Sequence, residues 1–427
     1  MDGESLFICK KIKLQKLAII GTGIAGMGCA HLLQHKYDLT MFEQNDYIGG
    51  HTNTITVKEG NEIIYIDTGF MVFNFQTYPH LCKLFENINA PIKKTNMSFS
   101  VQHTESGLEY CGSGFNGLFA QRKNIFNLKF IKMLKQIARF NKESIEVLDN
   151  PHYEDFSIEQ YIKQKKYNDD MLWKYLIPMS SAVWSSPMED MLKFPIVSLV
   201  RFFKNHGFLG LNSQHQWYTL QNGSQAYREL LIEPFRNRIQ INNAVKRVKM
   251  NGKKVMVHLA NGKEQEFDKV IFASHADQTI RMIENPTSEQ FRILSSFRYQ
   301  KNNAIIHTDE SVMPKNRKVW SSWNYKTENV NGKNIPTTIY WMNNLQQVSK
   351  KKNYFVSINP FENSIDSNKI IREIHYEHPL FDIDAMKAQK ELSQLNKNDT
   401  LYFCGSYFNY GFHEDAFESA VSLCENL

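Results

Sequence analysis

The sequence predicts an α/β fold: a Rossmann-like parallel sheet with large insertions. Three observations carry this. A strand, a glycine turn, a helix and a second strand follow one another across residues 16–50. Strand-like and helix-like runs mix again toward the C-terminus, ending in a strand at 401–404 and a helix at 412–425. The middle of the chain reads mostly as helix.

Residues 17–20 (LAII) are wholly apolar, as a parallel strand covered on both faces requires. Gly21, Gly23 and Gly26 then fit G-x-G-x-x-G. The first glycine permits the tight turn, the second lets a pyrophosphate approach the backbone, and the third lets the helix pack on the strand. Ile24 and Ala25 open a helix that runs to about Gln34 and aims free N–H groups and a positive dipole end at the phosphates. The second strand, 38–43, ends at Glu43, twenty-two positions after Gly21 and followed by Gln44. That offset suits a carboxylate accepting from both ribose hydroxyls, and its charge would repel a 2′-phosphate. These residues together imply a bound dinucleotide.

Further strands are predicted at 63–66, 254–259, 269–273, 337–341 and 354–358, and helices at 76–87, 125–148, 157–164, 170–179 and 224–234. On a helical projection of 121–144, Lys129, Lys132, Lys135, Arg139 and Lys142 share one face. Phe126, Phe130, Met133, Leu134, Ile137, Ala138 and Phe140 fall on the other. Two readings stay open: a helix packed on its own domain with a solvated lysine face, or peripheral docking of 122–142 on an anionic membrane.

The 427 residues suffice for two or three domains, with 42% hydrophobic and 22% charged residues, as in an ordinary globular protein. Aromatics reach 13%, with 29 Phe and 19 Tyr, which suits large cores or an aromatic-lined cavity. A net charge of +6 and the lack of a recognition motif exclude nucleic acid as the expected partner. The six cysteines (Cys9, Cys29, Cys82, Cys111, Cys404, Cys424) form no C-x-x-C pair, so no metal site is expected and reduced thiols in the cytoplasm are. No apolar run approaches the ~18 residues of a membrane span. Residues 1–13 read as a short tail.

Gly49 and Gly50 followed by His51 resemble the G-G-R element after the second strand of the FAD amine oxidase and phytoene desaturase superfamily, with His51 in place of the arginine. The second glycine pair points to FAD rather than NAD. The chain is most similar to a bacterial subgroup of amine-oxidase-like, predicted NAD/FAD-binding proteins. The stretches that carry the resemblance are 48–54 (IGGHTNT), 67–74 (DTGFMVFN), 182–185 (AVWS), 201–207 (RFFKNHG) and 217–223 (WYTLQNG). They continue at 272–277 (FASHAD), 340–346 (YWMNNLQ), 376–381 (YEHPLF) and 403–415 (FCGSYFNYGFHED).

The resemblance implies a discontinuous FAD-binding domain (14–75, 212–285 and 396–427) and an inserted α+β substrate domain (76–211 and 286–395). It places the backbone at Val245 against adenine, and Thr68, Gly69 and Phe70 beside one face of the flavin. Gly405 and Ser406 would meet the ribityl chain, with serine where relatives carry Asp or Thr. Asp415, Ala416 and Phe417 would open the helix that faces the flavin pyrimidine. His413 and Glu414 are candidates for proton transfer, with Tyr407, Tyr410 and Phe412 nearby. Trp184, His206, Trp341 and Asn343 are candidate cavity residues.

The implied activity is that of an FAD-dependent oxidoreductase taking hydride from a C–H or N–H of a hydrophobic small molecule. Members of the subgroup are often encoded beside cyclopropane-fatty-acyl synthases, which implies a fatty acyl lipid. Amine oxidation, flavin-dependent isomerisation without net redox, and flavin binding at a membrane surface without turnover stay open. The sequence does not specify the oligomeric state.

Overall fold

The computed structural model describes residues 14–210 and 215–427. The expected tail at 1–13, with Cys9, and the expected boundary at 211–212 lie outside the described residues.

Five strands from distant regions of the chain form one parallel sheet, in the order Leu401–Phe403, Lys269–Phe272, Lys16–Ile20, Asp38–Phe42, Ile239–Gln240. Strand side chains alternate between faces. Leu17 and Ile19 enter a core shared with the helices Ile24–Leu33 and His413–Cys424. Ala18 and Ile20 enter a second core beneath a three-stranded antiparallel sheet, Val245–Asn251, Lys254–Leu259 and Glu264–Phe267. The first strand has the second on one side and Lys269–Phe272 on the other, so a crevice opens at their carboxyl ends.

Two glycines are sterically required here. Gly21 has φ +103°, and a Cβ on it would lie 2.7 Å from the Ala273 carbonyl oxygen. A Cβ on Gly26 would overlap the Gly21 carbonyl. Gly28 is constrained in a similar way where the first and last helices cross: its Cβ would lie 2.8 Å from the Phe417 ring. The helix Pro79–Asn87 adds Leu81, Leu84 and Phe85 to the same core, although the sequence reading placed it with the substrate segment. Cys29, Cys82, Cys111, Cys404 and Cys424 are free thiols.

A second sheet runs Ile370–Leu380, Arg298–His307, Phe355–Ile358, Lys333–Trp341, Trp323–Val330, Phe99–His103, Leu108–Cys111. Only the third and fourth of these seven were legible in the sequence. The two longest strands present Asn302, Tyr376 and His378 to a cavity. Polar residues facing a cavity erase the apolar alternation by which a strand is recognised.

From Gly114–Leu118 to Ile196–Asn205 the described chain is helical, around one aromatic-rich core. The helix expected at 170–179 is broken into Asp169–Met171, a π-helical turn at Leu172–Leu176, and Ile177–Trp184. Pro178 explains the break. It has no N–H for the Lys174 carbonyl, which instead accepts from the Tyr110 hydroxyl at 2.6 Å.

The basic helix spans Leu128–Glu143 and is capped by Asn127, whose side chain accepts from the N–H groups of Lys129 and Phe130. Phe130, Met133 and Phe140 are buried. Phe126 departs from the projection: it ends a separate 3-10 turn, Arg122–Phe126, ahead of the α-helix, and its side chain is 86% exposed.

We expect Gly28→Val to lower the stability of the FAD-free protein by roughly 1–3 kcal/mol through overpacking against Phe417. Gly112→Ala, whose Cβ meets open space, should change it by less than about 0.5 kcal/mol. Urea unfolding measures both.

Candidate active site

A cavity of about 1180 Å³ opens from the crevice of the parallel sheet and is lined by residues of both sheets and the helical core. At the sheet end, Glu43 is buried and its carboxylate is fixed on both oxygens. One accepts from the Thr22 N–H (3.1 Å) and hydroxyl (2.5 Å). The other accepts from the Asn45 N–H (3.0 Å) and amide (2.9 Å). The Thr22 hydroxyl in turn accepts from the Gly49 N–H at 3.2 Å, tying the two glycine motifs together. A Cβ on Gly23 would meet nothing within 4 Å, so this glycine faces open space.

Beyond Gly50 the cavity wall is formed by His51 and the segment Thr68–Phe70. That segment is anchored by Asp67, whose buried carboxylate accepts from the Ser224 N–H (2.9 Å), the Thr54 hydroxyl (2.5 Å) and the Gln346 amide (2.6 Å). Gly69 lies so close to the His51 carbonyl that a Cβ would overlap it, and the Phe70 N–H donates to that carbonyl at 2.8 Å. The His51 ring stacks on Tyr376 (4.7 Å, 25°) and approaches His378 (4.9 Å). Burial, and then the neighbouring His378, His275 and His413, hold His51 well below the usual histidine range, so the ring is neutral. Its Nε2 has no hydrogen-bond partner among the described residues.

Opposite stands the C-terminal helix, His413–Cys424. The His413 ring stacks on Phe70 at 4.0 Å and 6°. Its Nε2 lies 2.7 Å from the Tyr227 hydroxyl and 3.1 Å from the Thr52 hydroxyl. Burial pushes its pKa down to about 3. Glu414 points away from the cavity and accepts from the N–H groups of His80 (2.7 Å) and Leu81 (3.0 Å), capping the helix that starts at Pro79. Asp415 accepts from the Phe412 N–H at 2.7 Å, and burial pushes its carboxyl up to about 8.

The far arm of the cavity is aromatic. Phe202 and Phe412 stack at 5.0 Å and 23°, and Trp184 lies 4.8 Å from Phe202. The Trp184 N–H is spent on the Tyr410 carbonyl (3.2 Å), and His206 Nδ1 donates to the Phe202 carbonyl (2.9 Å). Burial lowers His206 to about 4, so it too is neutral.

Of the residues singled out in the sequence, Gly21, Gly23, Ile24, Ala25, Glu43, Gln44, Gly50, His51, Thr68, Gly69, Phe70 and Val245 line the cavity. So do Trp184, His206, Gly405, Ser406, Tyr407, Tyr410, Phe412, His413 and Ala416. Gly26, Gly49, Glu414, Asp415 and Phe417 stand behind the lining. Trp341 and Asn343 correct the expectation that they line it. The Trp341 N–H donates to Asn353, and the Asn343 amide holds the carbonyls of Ser349 and Lys352. Sequence reasoning missed Thr22, an unspecified position inside the glycine motif, and Asn45, Asn302 and Tyr227, which no motif marks. Tyr376 and His378 lie in a stretch that carries the family resemblance, but the resemblance gave neither a place in the cavity.

The family model described as flavin containing amine oxidoreductase matches residues 24–354. The chain belongs to that family. Its members are flavin-containing oxidoreductases, and this chain is one of them. A zeta-carotene desaturase of Zea mays is 36% identical over 76 residues, covering 18% of this chain and 13% of that protein. This chain thus matches only a small fraction of that relative's length. A fatty acid isomerase from P. acnes, described as CLA-producing, superposes with a TM-score of 0.68 at 13% identity over 97% of this chain and 98% of its own. A putrescine oxidase bound to putrescine does so with 0.67 at 14%, over the same shares. Both structures share the fold.

The cavity fits FAD on its own terms. Gly23 leaves a cradle with no side chain, Glu43 holds a fixed carboxylate at the crevice, and His51 Nε2, beside Gly50, has no hydrogen-bond partner among the described residues.

Two outcomes follow. Gly23→Ala should change the unfolding of the FAD-free flavoenzyme little, since its Cβ meets no atom within 4 Å, while the purified variant loses visible flavin absorbance. The second concerns Asp415, which stays protonated in the folded chain up to about pH 8 but ionises near ~3.9 when unfolded. The folded state therefore binds more protons across that window, and stability falls as pH rises through it. Asp415→Asn keeps an acceptor for the Phe412 N–H and has no proton to lose. Its stability relative to the parent should rise between pH ~4 and about 8 in urea titrations.

Proposed function

We propose that the flavoenzyme oxidises an apolar, fatty acyl lipid-like substrate at a C–H bond, held in the aromatic arm beside the flavin. The observation that carries this is the chemistry of the lining. Among the described residues lining the cavity, the only carboxylates are Glu43 and Glu377. Glu43 is held by Thr22 and Asn45, and Glu377 lies 3.6 Å from His275. Neither belongs to the aromatic arm, where a charged amine would need a counter-charge. The Trp184 N–H and His206 Nδ1 are satisfied within the wall, and Phe202 and Phe412 give the arm an apolar surface.

FAD, which Gly23, Glu43 and His51 would hold, would supply two-electron redox chemistry here. Phe202, Phe412 and Trp184 orient the chain and exclude water. Of the candidates for proton handling, His413 is the one we retain. It lines the cavity as a neutral imidazole coupled to Tyr227 and Thr52, able to hold a hydrogen bond without adding charge. The Glu414 carboxylate is occupied by the helix at Pro79. The Tyr407 hydroxyl is buried without a partner among the described residues, and burial raises its ionisation far above the usual range. It can donate but not lose its proton. In this reading residues 14–75, 212–285 and 396–427 hold the cofactor and the inserted segments supply the arm.

Anaerobic mixing with unsaturated fatty acids, phospholipids and amines tests the substrate class. Bleaching of the flavin band by the lipids is expected, and bleaching by amines alone would overturn the reading. Trp184→Ala should cut kcat/KM for the lipid roughly tenfold or more while FAD content holds.

A further inference from the structure

Outside the cavity, one surface of the helical layer has a composition of its own. Residues 110–142 contain seven Lys and Arg and no Asp or Glu. At the entrance to the basic helix three large apolar side chains stand in solvent: Phe115 is 63% exposed, Phe126 86% and Leu128 84%.

These residues form an ordered surface. The Phe115 ring lies 4.8 Å from Phe119, which packs at 5.8 Å on Phe130 in the core. Arg122 donates to the Phe119 carbonyl (3.1 Å) and to the Asn116 side chain (2.8 Å), closing the turn. Asn127 caps the helix immediately after Phe126. Around this apolar tip, Lys123, Lys129 and Lys132 are exposed and make no ion pair with a described residue. A protein normally buries such aromatic surface or flanks it with charges of both signs.

We infer that this tip docks on an anionic phospholipid bilayer. Phe126 and Leu128 enter the headgroup and acyl boundary, and the lysines meet lipid phosphates. Charge complementarity selects the occupant: Arg139 is paired with Glu143, but Lys123, Lys129 and Lys132 stand exposed beside the apolar tip with no ion pair to a described residue, and a negative surface matches them. A second copy of this chain would bring the same positive tip against itself. The inference concerns a surface apart from the cavity and stands independently of the substrate reading.

Vesicle flotation of the full-length holoenzyme tests it without turnover. The probes are phosphatidylcholine vesicles and vesicles of phosphatidylcholine with phosphatidylglycerol. We expect binding to the mixed vesicles, weakened by salt, and little to the neutral ones. Phe126→Ser with Leu128→Ser, and separately Lys123→Glu with Lys129→Glu and Lys132→Glu, should each reduce binding roughly tenfold or more. Flavin absorbance and thermal midpoint should be retained in both variants, which shows that they fold. Failure of the parent protein to bind the mixed vesicles, equal binding to both vesicle types, or undiminished binding by both variants would overturn the inference. So would a dimer, seen by ultracentrifugation, that the serine variant dissociates without any vesicle binding.

Discussion

Gly21 approaches Ala273 so closely that no side chain fits between the first strand and its neighbour, and Gly26 sits against Gly21 from below. The cavity is built outward from that crossing. Because the strands meet there without side chains, their carboxyl ends lie side by side. Glu43, Ala273 and Gly405 arrive at one crevice from positions far apart in the chain. The helix after the crossing then buries Gly28 against Phe417, which brings the C-terminal helix and His413 to the same cavity. A larger residue at the crossing would separate the strands and disperse the site.

Burial decides the charges within this frame. His51, His206, His378 and His413 are all held below the usual histidine range by loss of solvent, so the cavity meets its contents with neutral rings. The structural anion Asp67 is compensated by hydroxyls and amide N–H groups rather than by a cation, a directional arrangement that fixes Thr68–Phe70 in place. Glu414 serves a similar end at the helix that starts at Pro79. The fixed negative charges of the site thus set geometry, and the aromatic arm is left apolar.

The nucleotide end was legible because its chemistry is local. Gly21, Gly23, Gly26 and Glu43 lie within one strand–helix–strand unit, and the spacing alone gives the turn and the carboxylate their places at the end of the sheet. The seven-stranded sheet was largely hidden because its long strands spend alternate positions on polar cavity residues such as Asn302 and His378. Trp341 and Asn343 looked like cavity residues by type but are used to hold a neighbouring loop. Pro178 was visible, yet the π-helical turn it causes depends on a tyrosine hydroxyl from another strand.

By itself the sequence determined the parallel sheet, the glycine turn, the position of Glu43 at the end of the second strand and the family resemblance, since each rests on residues near one another or on contiguous motifs. Tertiary structure alone decided which side chains face the cavity, which histidines are neutral, and that Phe126 stands in solvent rather than on the buried face of its helix. Those properties depend on desolvation and on contacts between residues hundreds of positions apart, such as His413 with Thr52 and Tyr376 with His51. Periodicity and spacing carry no record of such contacts.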